Sequence, residues 1–272
     1  MDASPEPLTA GTAASFWTPE LVAALRDAVE VASQQSVTAI VQDVPAYRDE
    51  FRHGRSAVLK EAVSMALHGF LDLIETPGPG DAAPTGPTSA TVLGARSLGR
   101  REARAGRTVE AVLAAYRVGA RVCWVTFSDV ALEHGLAARE LQTFAALTFT
   151  YIDDLSAATV AGHTQERARS DQRRSQARTN LGLLVVRGAR TAEVDAAARA
   201  AGLTSPRTVS LMACRSEDTG ALTSRLPLRT LVLDQVGLGP EGSGWSTLLL
   251  PDPTDDELDR ARRTLRRAGV HC

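Results

Sequence analysis

The sequence predicts a mainly α-helical N-terminal domain followed by a small α+β domain. Three observations carry this. Apolar residues recur at three- and four-residue steps through long segments between residues 18 and 162. The stretch 163–180 contains neither Gly nor Pro and is built from good helix formers. Beyond residue 181 the pattern changes to short β-rich runs between helical segments. A chain of 272 residues with 44% hydrophobic content is long enough for two cores of ordinary domain size.

The first 17 residues, polar and proline-containing, are expected to be disordered. Thr18-Pro19-Glu20 supplies an N-cap, a proline in the first turn and an acid facing the helix dipole. It opens a helix that turns Leu21, Leu25, Ala28 and Ala32 inward. A second helix, about 55–75, has Val58, Ala62, Met65, Ala66, Phe70 and Leu73 on its predicted inner face and Glu61, Ser64, His68 and Asp72 on the outer one. Four prolines and three glycines in 76–90 predict a mobile loop. A polar helix follows from about 90 to 105. It breaks at Ala105-Gly106, and Thr108 with Glu110 starts the next, which runs to about Glu133. That helix carries a stripe of Val109, Val112, Leu113, Tyr116, Ala120, Cys123, Trp124, Phe127 and Val130, the pattern of a core helix. After Gly135 another begins near Ala137, with Leu141, Phe144, Thr148, Tyr151, Ile152, Leu155 and Thr159 inward. It continues through 163–180 as a solvated connecting helix.

The helical domain therefore spans 18–162 and the α+β domain 181–272. The latter begins with Leu181, Leu183, Leu184 and Val185, closed by Gly188, and a short amphipathic helix at 191–203 stopped by Gly202. Strands are predicted in "RTVSLMAC" (207–214), "LRTLVLD" (228–234) and "WSTLLLP" (245–251). A final helix over 254–269 has acids in its first turn and arginines in its last.

Composition excludes several functions. The net charge of -2 gives no overall attraction to nucleic acid. Lys60 is the single lysine among 30 basic residues, so arginine abundance reflects codon bias more than a selected surface. The N-terminus lacks a signal-peptide pattern and no apolar run reaches the roughly 18–20 residues of a membrane span, which predicts a cytoplasmic protein without membrane contact. Cys123, Cys214 and Cys272 are too scattered for a disulfide framework or zinc site, and Cys123 reads as a core residue. The histidines His53, His68, His134, His163 and His271 lack metal-ligand spacing, so no metal and no cofactor, haem included, is expected. No nucleophile elbow, metalloprotease helix or phosphate loop is present, and "GLGPEGSG" (237–244) reads as a hairpin loop. Asp153 and Asp154, adjacent on a helix, point about 100° apart and cannot share a proton. No residue is assigned a catalytic role.

The residues with the most specific character are Arg117 and Arg121, one turn apart beside the apolar stripe, with Tyr116 and Trp124 on it. They read either as structural ion pairs, with Glu102, Asp129, Asp153 or Asp154 as partners, or as the lining of a ligand or anion pocket. The arginines of 167–178 alternate with Glu166 and Asp171 and have no aromatics among them, which disfavours a nucleic-acid surface.

"GRREARAGRTVEAVLAAYRVGARVCW" (99–124), followed by "TYIDDLSAATVAGH" (150–163), resembles the helical N-terminal domain of PucR/CdaR-type transcriptional regulators, a domain named after the RsbR-type stress-sensor N-terminus. The resemblance covers about 18–180. It implies a non-haem, globin-like helical bundle, and the stretch 181–272 resembles the degenerate GGDEF-like domain that follows it in such regulators. No G-G-[DE]-E-F string is present, so nucleotide cyclisation is not implied. The family's C-terminal helix-turn-helix is not seen before "RRTLRRAGVHC", and direct DNA binding is not expected. The resemblance implies a non-enzymatic regulatory homodimer that senses a signal, with a small molecule as one candidate, and acts through a protein partner in transcription control. A small-metabolite enzyme centred on the α+β domain, or an inactive truncated regulator, are the alternatives.

Overall fold

Helix signals written into the sequence set the architecture of the first unit. In the computed structural model, which describes residues 16–48, 56–75, 86–234 and 244–267, the chain divides into two units, Met1–Arg167 and Ala168–Cys272. Helix α1 (Pro19–Asp43) starts where Thr18 accepts the Leu21 amide at 3.2 Å and Pro19 occupies the first turn. A short 3-10 turn, Pro45–Tyr47, follows it. Helix α2 is Ser56–Glu75, α3 is Ser89–Arg104, α4 is Val109–Glu133 and α5 is Ala138–Val186. Thr88 caps α3 and Thr108 caps α4, each accepting a backbone amide three residues on. Gly106 (φ 78°) and Gly135 (φ 79°) take the left-handed conformation that ends α3 and α4 and that a side chain would resist.

The core of this unit gathers Leu21, Leu25 and Val29 of α1, Phe70, Leu71 and Ile74 of α2, Phe127 and Ala131 of α4, and Phe144, Tyr151 and Leu155 of α5. Phe144 lies at its centre. Trp17 and Trp124 set their rings nearly perpendicular to it, at 5.1 and 5.4 Å between centroids, and Phe70 stacks at 6.0 Å. Helices α3 and α5 cross with their backbones almost touching at Gly99 and Gly162. A Cβ at Gly99 would lie 1.9 Å from the Thr159 carbonyl oxygen, and one at Gly162 would lie 2.1 Å from that of Arg96.

Several expectations are corrected here. Phe16 is buried and Trp17 packs on the core, although both fall in the stretch expected to be disordered; residues 1–15 lie outside those described. Met65 and Val58 are exposed, at 54% and 39%, and the inward face of α2 is carried by Phe70, Leu71, Leu73 and Ile74 with Leu67 packed against them. The helix is apolar around most of its circumference, so periodicity alone does not fix its phase. The loop expected over 76–90 has ended by Thr88, because Ser89 and Ala90 form the first turn of α3; residues 76–85 lie outside those described. His163 and Glu166, assigned to a solvated connecting helix, are buried in the first unit, and the uninterrupted exposed run of α5 covers residues 167–176.

In the second unit the last turns of α5 are followed by α6 (Thr191–Ala200), β1 (Val209–Arg215), a 3-10 turn (Ser216–Asp218), a single-turn helix α7 (Thr219–Thr223), β2 (Leu231–Asp234), β3 (Trp245–Pro251) and α8 (Asp255–Arg267). The 3-10 turn and α7 are additions to the sequence expectation. The strands form an antiparallel sheet in the order β1-β3-β2, with Met212 opposite Leu248 and Leu231 opposite Leu249. Strand β3 is central and apolar on both faces because both faces are covered. Leu248 and Leu250 pack with Cys214, Leu222 and Ala261, whereas Leu249 joins Leu231, Leu233, Leu181 and Ala198 on the other side. Residues 235–243, which hold most of the expected hairpin loop, lie outside those described.

Candidate ligand pocket in the helical unit

Helices α1, α2, α3, α4 and α5 leave a pocket of about 120 Å³ between them. Small residues create it: Ala62 and Ala66 of α2 face Ala115, Gly119 and Ala120 of α4, while Ile40, Phe70, Phe127 and Leu155 close the walls.

The pocket has a polar edge whose groups are all engaged within the protein. Tyr151 donates its hydroxyl to the Ala66 carbonyl at 2.8 Å, and Thr148 donates to that of Phe144 at 2.8 Å. Tyr116 and Thr159 share a 2.8 Å hydrogen bond; since Thr159 donates to the Ala95 carbonyl at 3.1 Å, Tyr116 is the donor of the pair. The Cys123 thiol lies 3.2 Å from the Ser36 hydroxyl. Tyr47 donates to Glu102 at 2.7 Å. Burial is the main cause that pushes the Tyr47, Tyr116 and Tyr151 phenols and the Cys123 thiol above their ordinary pKa values, so all four are neutral at physiological pH.

Glu102 is the one carboxylate at this edge, 6% exposed. Arg107 folds back across the Gly106 turn to grip both its oxygens, one through Nε and the other through Nη2 at 3.2 Å. The Arg107 guanidinium also lies over the Tyr47 ring, 4.8 Å from its centroid. Its backbone carbonyl accepts a 2.7 Å hydrogen bond from Nε2 of His163, which places the ring proton on that nitrogen. One turn away, Arg104 forks onto buried Glu166 at 3.0 and 3.1 Å. Thr159, His163 and Glu166 thus tie the α3–α4 turn and the pocket edge to one face of α5.

A wider groove of about 900 Å³ runs between α2 and α3 and shares Ala62, Ala66, Leu98, Tyr116 and Leu155 with the pocket. Arg100, Arg101 and Arg104 line its α3 side, and Glu61, His68 and Asp72 its α2 side. Asp72 and Glu75 both receive Arg26, at 2.8 and 2.5 Å.

Of the residues singled out in the sequence, Tyr116 lies in the pocket wall, and Trp124 packs beside it in the core against Phe144 and Phe149. Arg117 and Arg121 are exposed, and Arg121 meets Asp43 at 3.2 Å on the surface. Neither lines the pocket, and the partner of Arg121 is Asp43 and not one of the carboxylates expected: each arginine follows an inward residue by one position, a rotation of about 100° that carries it to solvent. The buried arginine pair of this region is Arg107 with Glu102, five residues apart across a turn. Tyr47 and His163 carried no sequence signal, because a lone polar residue at an inward helical position looks like an exposed one. Asp153 and Asp154 are both exposed.

No group of three metal-ligating side chains occurs among the described residues, and no described helix is long and apolar enough to cross a membrane. Residues 19–178 match the protein family described as the RsbT co-antagonist protein rsbRD N-terminal domain. No curated protein and no solved structure matches the chain.

Proposed function

Because the chain belongs to the RsbT co-antagonist protein rsbRD N-terminal domain family, we propose that it is a cytoplasmic regulatory protein of the PucR/CdaR type whose helical unit senses a small molecule in the pocket. It works as a homodimer, without catalysis of its own, through contacts with a protein partner in transcription control. The helical unit is a non-haem relative of the globin bundle, and the three-stranded unit is a degenerate GGDEF-like module.

The observation that carries this reading is the route from pocket to α5. Tyr116 in the pocket wall bonds to Thr159, and the Glu102–Arg107 pair at its edge bonds to His163, so a change in how the pocket is filled alters the face of α5 that leads to residue 167. Hydrogen exchange on the full chain tests it. Filling the pocket with Ala120→Leu imitates an occupant and is expected to change amide protection along 155–170 while leaving the start of α1 as it was. Unchanged exchange throughout α5 in a folded Ala120→Leu protein contradicts the sensory reading.

A further inference from the structure

Resting on that sensory reading of the same pocket, we propose that the ligand is an uncharged, apolar molecule of about one ring in size, admitted through the groove between α2 and α3. The polar atoms at the edge point away from any need for a polar guest. Tyr47, Tyr116, Tyr151, Thr148 and Cys123 already have partners in the fold, and Glu102 is met by Arg107. A charged ligand in this space gives up its water and finds no counter-charge on offer, a loss that an apolar one does not suffer. The remaining wall is alkyl and aromatic.

Size narrows the class further. An apolar cavity of about 150 Å³ stays dry and takes benzene or xenon. The pocket, at about 120 Å³, suits a small ring or a short branched alkyl group and excludes a nucleotide or a sugar. Its volume is set by five positions bearing no more than a methyl group, Ala62, Ala66, Ala115, Gly119 and Ala120. Ala62 and Ala66 belong to the groove wall as well, so the groove leads to the space between them. Arg100, Arg101 and Arg104 line the groove and not the pocket, which leaves them outside the reach of a guest seated within it.

Toluene, benzoate and benzylamine, alike in size and different in charge, test the proposal on the full chain by thermal shift and calorimetry. Toluene is expected to raise the melting temperature by a few degrees, to bind about tenfold or more tightly than either charged analogue, and to show nuclear Overhauser contacts to the Phe127 and Tyr151 rings. Ala66→Phe at the junction and Ala120→Leu deeper in should each abolish toluene binding. If both variants fail to fold, the Overhauser contacts in the unaltered protein decide the location. Absence of toluene binding up to its solubility, binding that survives in a folded filled variant, or contacts elsewhere on the protein would each overturn the proposal. Preferential benzoate binding that is lost in Arg101→Glu would also overturn it, by placing an anion site in the groove. Those results leave the exchange test along α5 untouched, so the choice of ligand and the sensory role fail separately.

Discussion

At Glu102 a carboxylate is held out of water by a phenol and a guanidinium, and its contribution is visible mainly on removal. Glu102→Ala takes the carboxylate from Arg107, whose side chain is only 14% exposed, and the expected cost is about 3–5 kcal/mol. Arg117→Ala, on the solvent face one turn from Arg121, is expected to stay within about 0.5 kcal/mol. Urea denaturation of the two variants against the parent chain checks the contrast; equal effects would show that the burial of the Glu102 pair does not matter to the fold. The difference between the two arginines lies in their backbone settings. Arg117 is fixed by the helical period one position past an inward residue, whereas Arg107 is turned inward by the Gly106 corner, which lies outside any period.

Between elements, α3 and α5 approach closely enough at Gly99 and Gly162 to leave no room for a side chain. Gly99→Ala must push against the Thr159 carbonyl and Gly162→Ala against that of Arg96, and neither obstacle is a side chain that can rotate away. Each is expected to cost about 1–3 kcal/mol or more. Gly94, also on α3, has nothing within 4 Å of an added Cβ, so Gly94→Ala should stabilise by about 0.5–1 kcal/mol through helix propensity. Thermal melts of the three variants test both signs. The ends of these helices are legible in the sequence because capping is local: Thr18, Thr88 and Thr108 each act on an amide three residues away. The inward phase of α2 is legible only in part, since a helix apolar on most sides is oriented by its neighbours: Ala66, Phe70 and Leu73 face inward as expected, whereas Val58 and Met65 do not. Nor are Gly99 and Gly162 distinguishable from Gly94 without the opposing backbone. Much of the apolar lining of the pocket was legible as inward stripe positions, such as Tyr116, Cys123 and Phe127 of α4 and Tyr151 and Leu155 of α5; Tyr47 and Glu102 join it, and His163 meets the Arg107 carbonyl beside it, through turns and partners distant in sequence.

Across the whole molecule, each buried cluster among the described residues is drawn from one unit alone. Separate cores predict separate melting. Calorimetry of the full chain should resolve two transitions, with Glu102→Ala lowering one and Leu248→Ala, which removes a fully buried leucine at an expected cost of about 2–5 kcal/mol, lowering the other. A single transition shifted alike by both variants would show one cooperative body. The placement of the three tryptophans makes the same distinction optically. Trp17 and Trp124 both abut Phe144, while Trp245 begins β3 and lies 6.0 Å from the Arg215 guanidinium. In Trp245→Phe protein the indole emission comes only from two fluorophores that touch a single ring at the centre of the helical core, so a guest or a variant that disturbs that core registers as a change in their colour and brightness, and the difference from the parent spectrum isolates the light of the sheet.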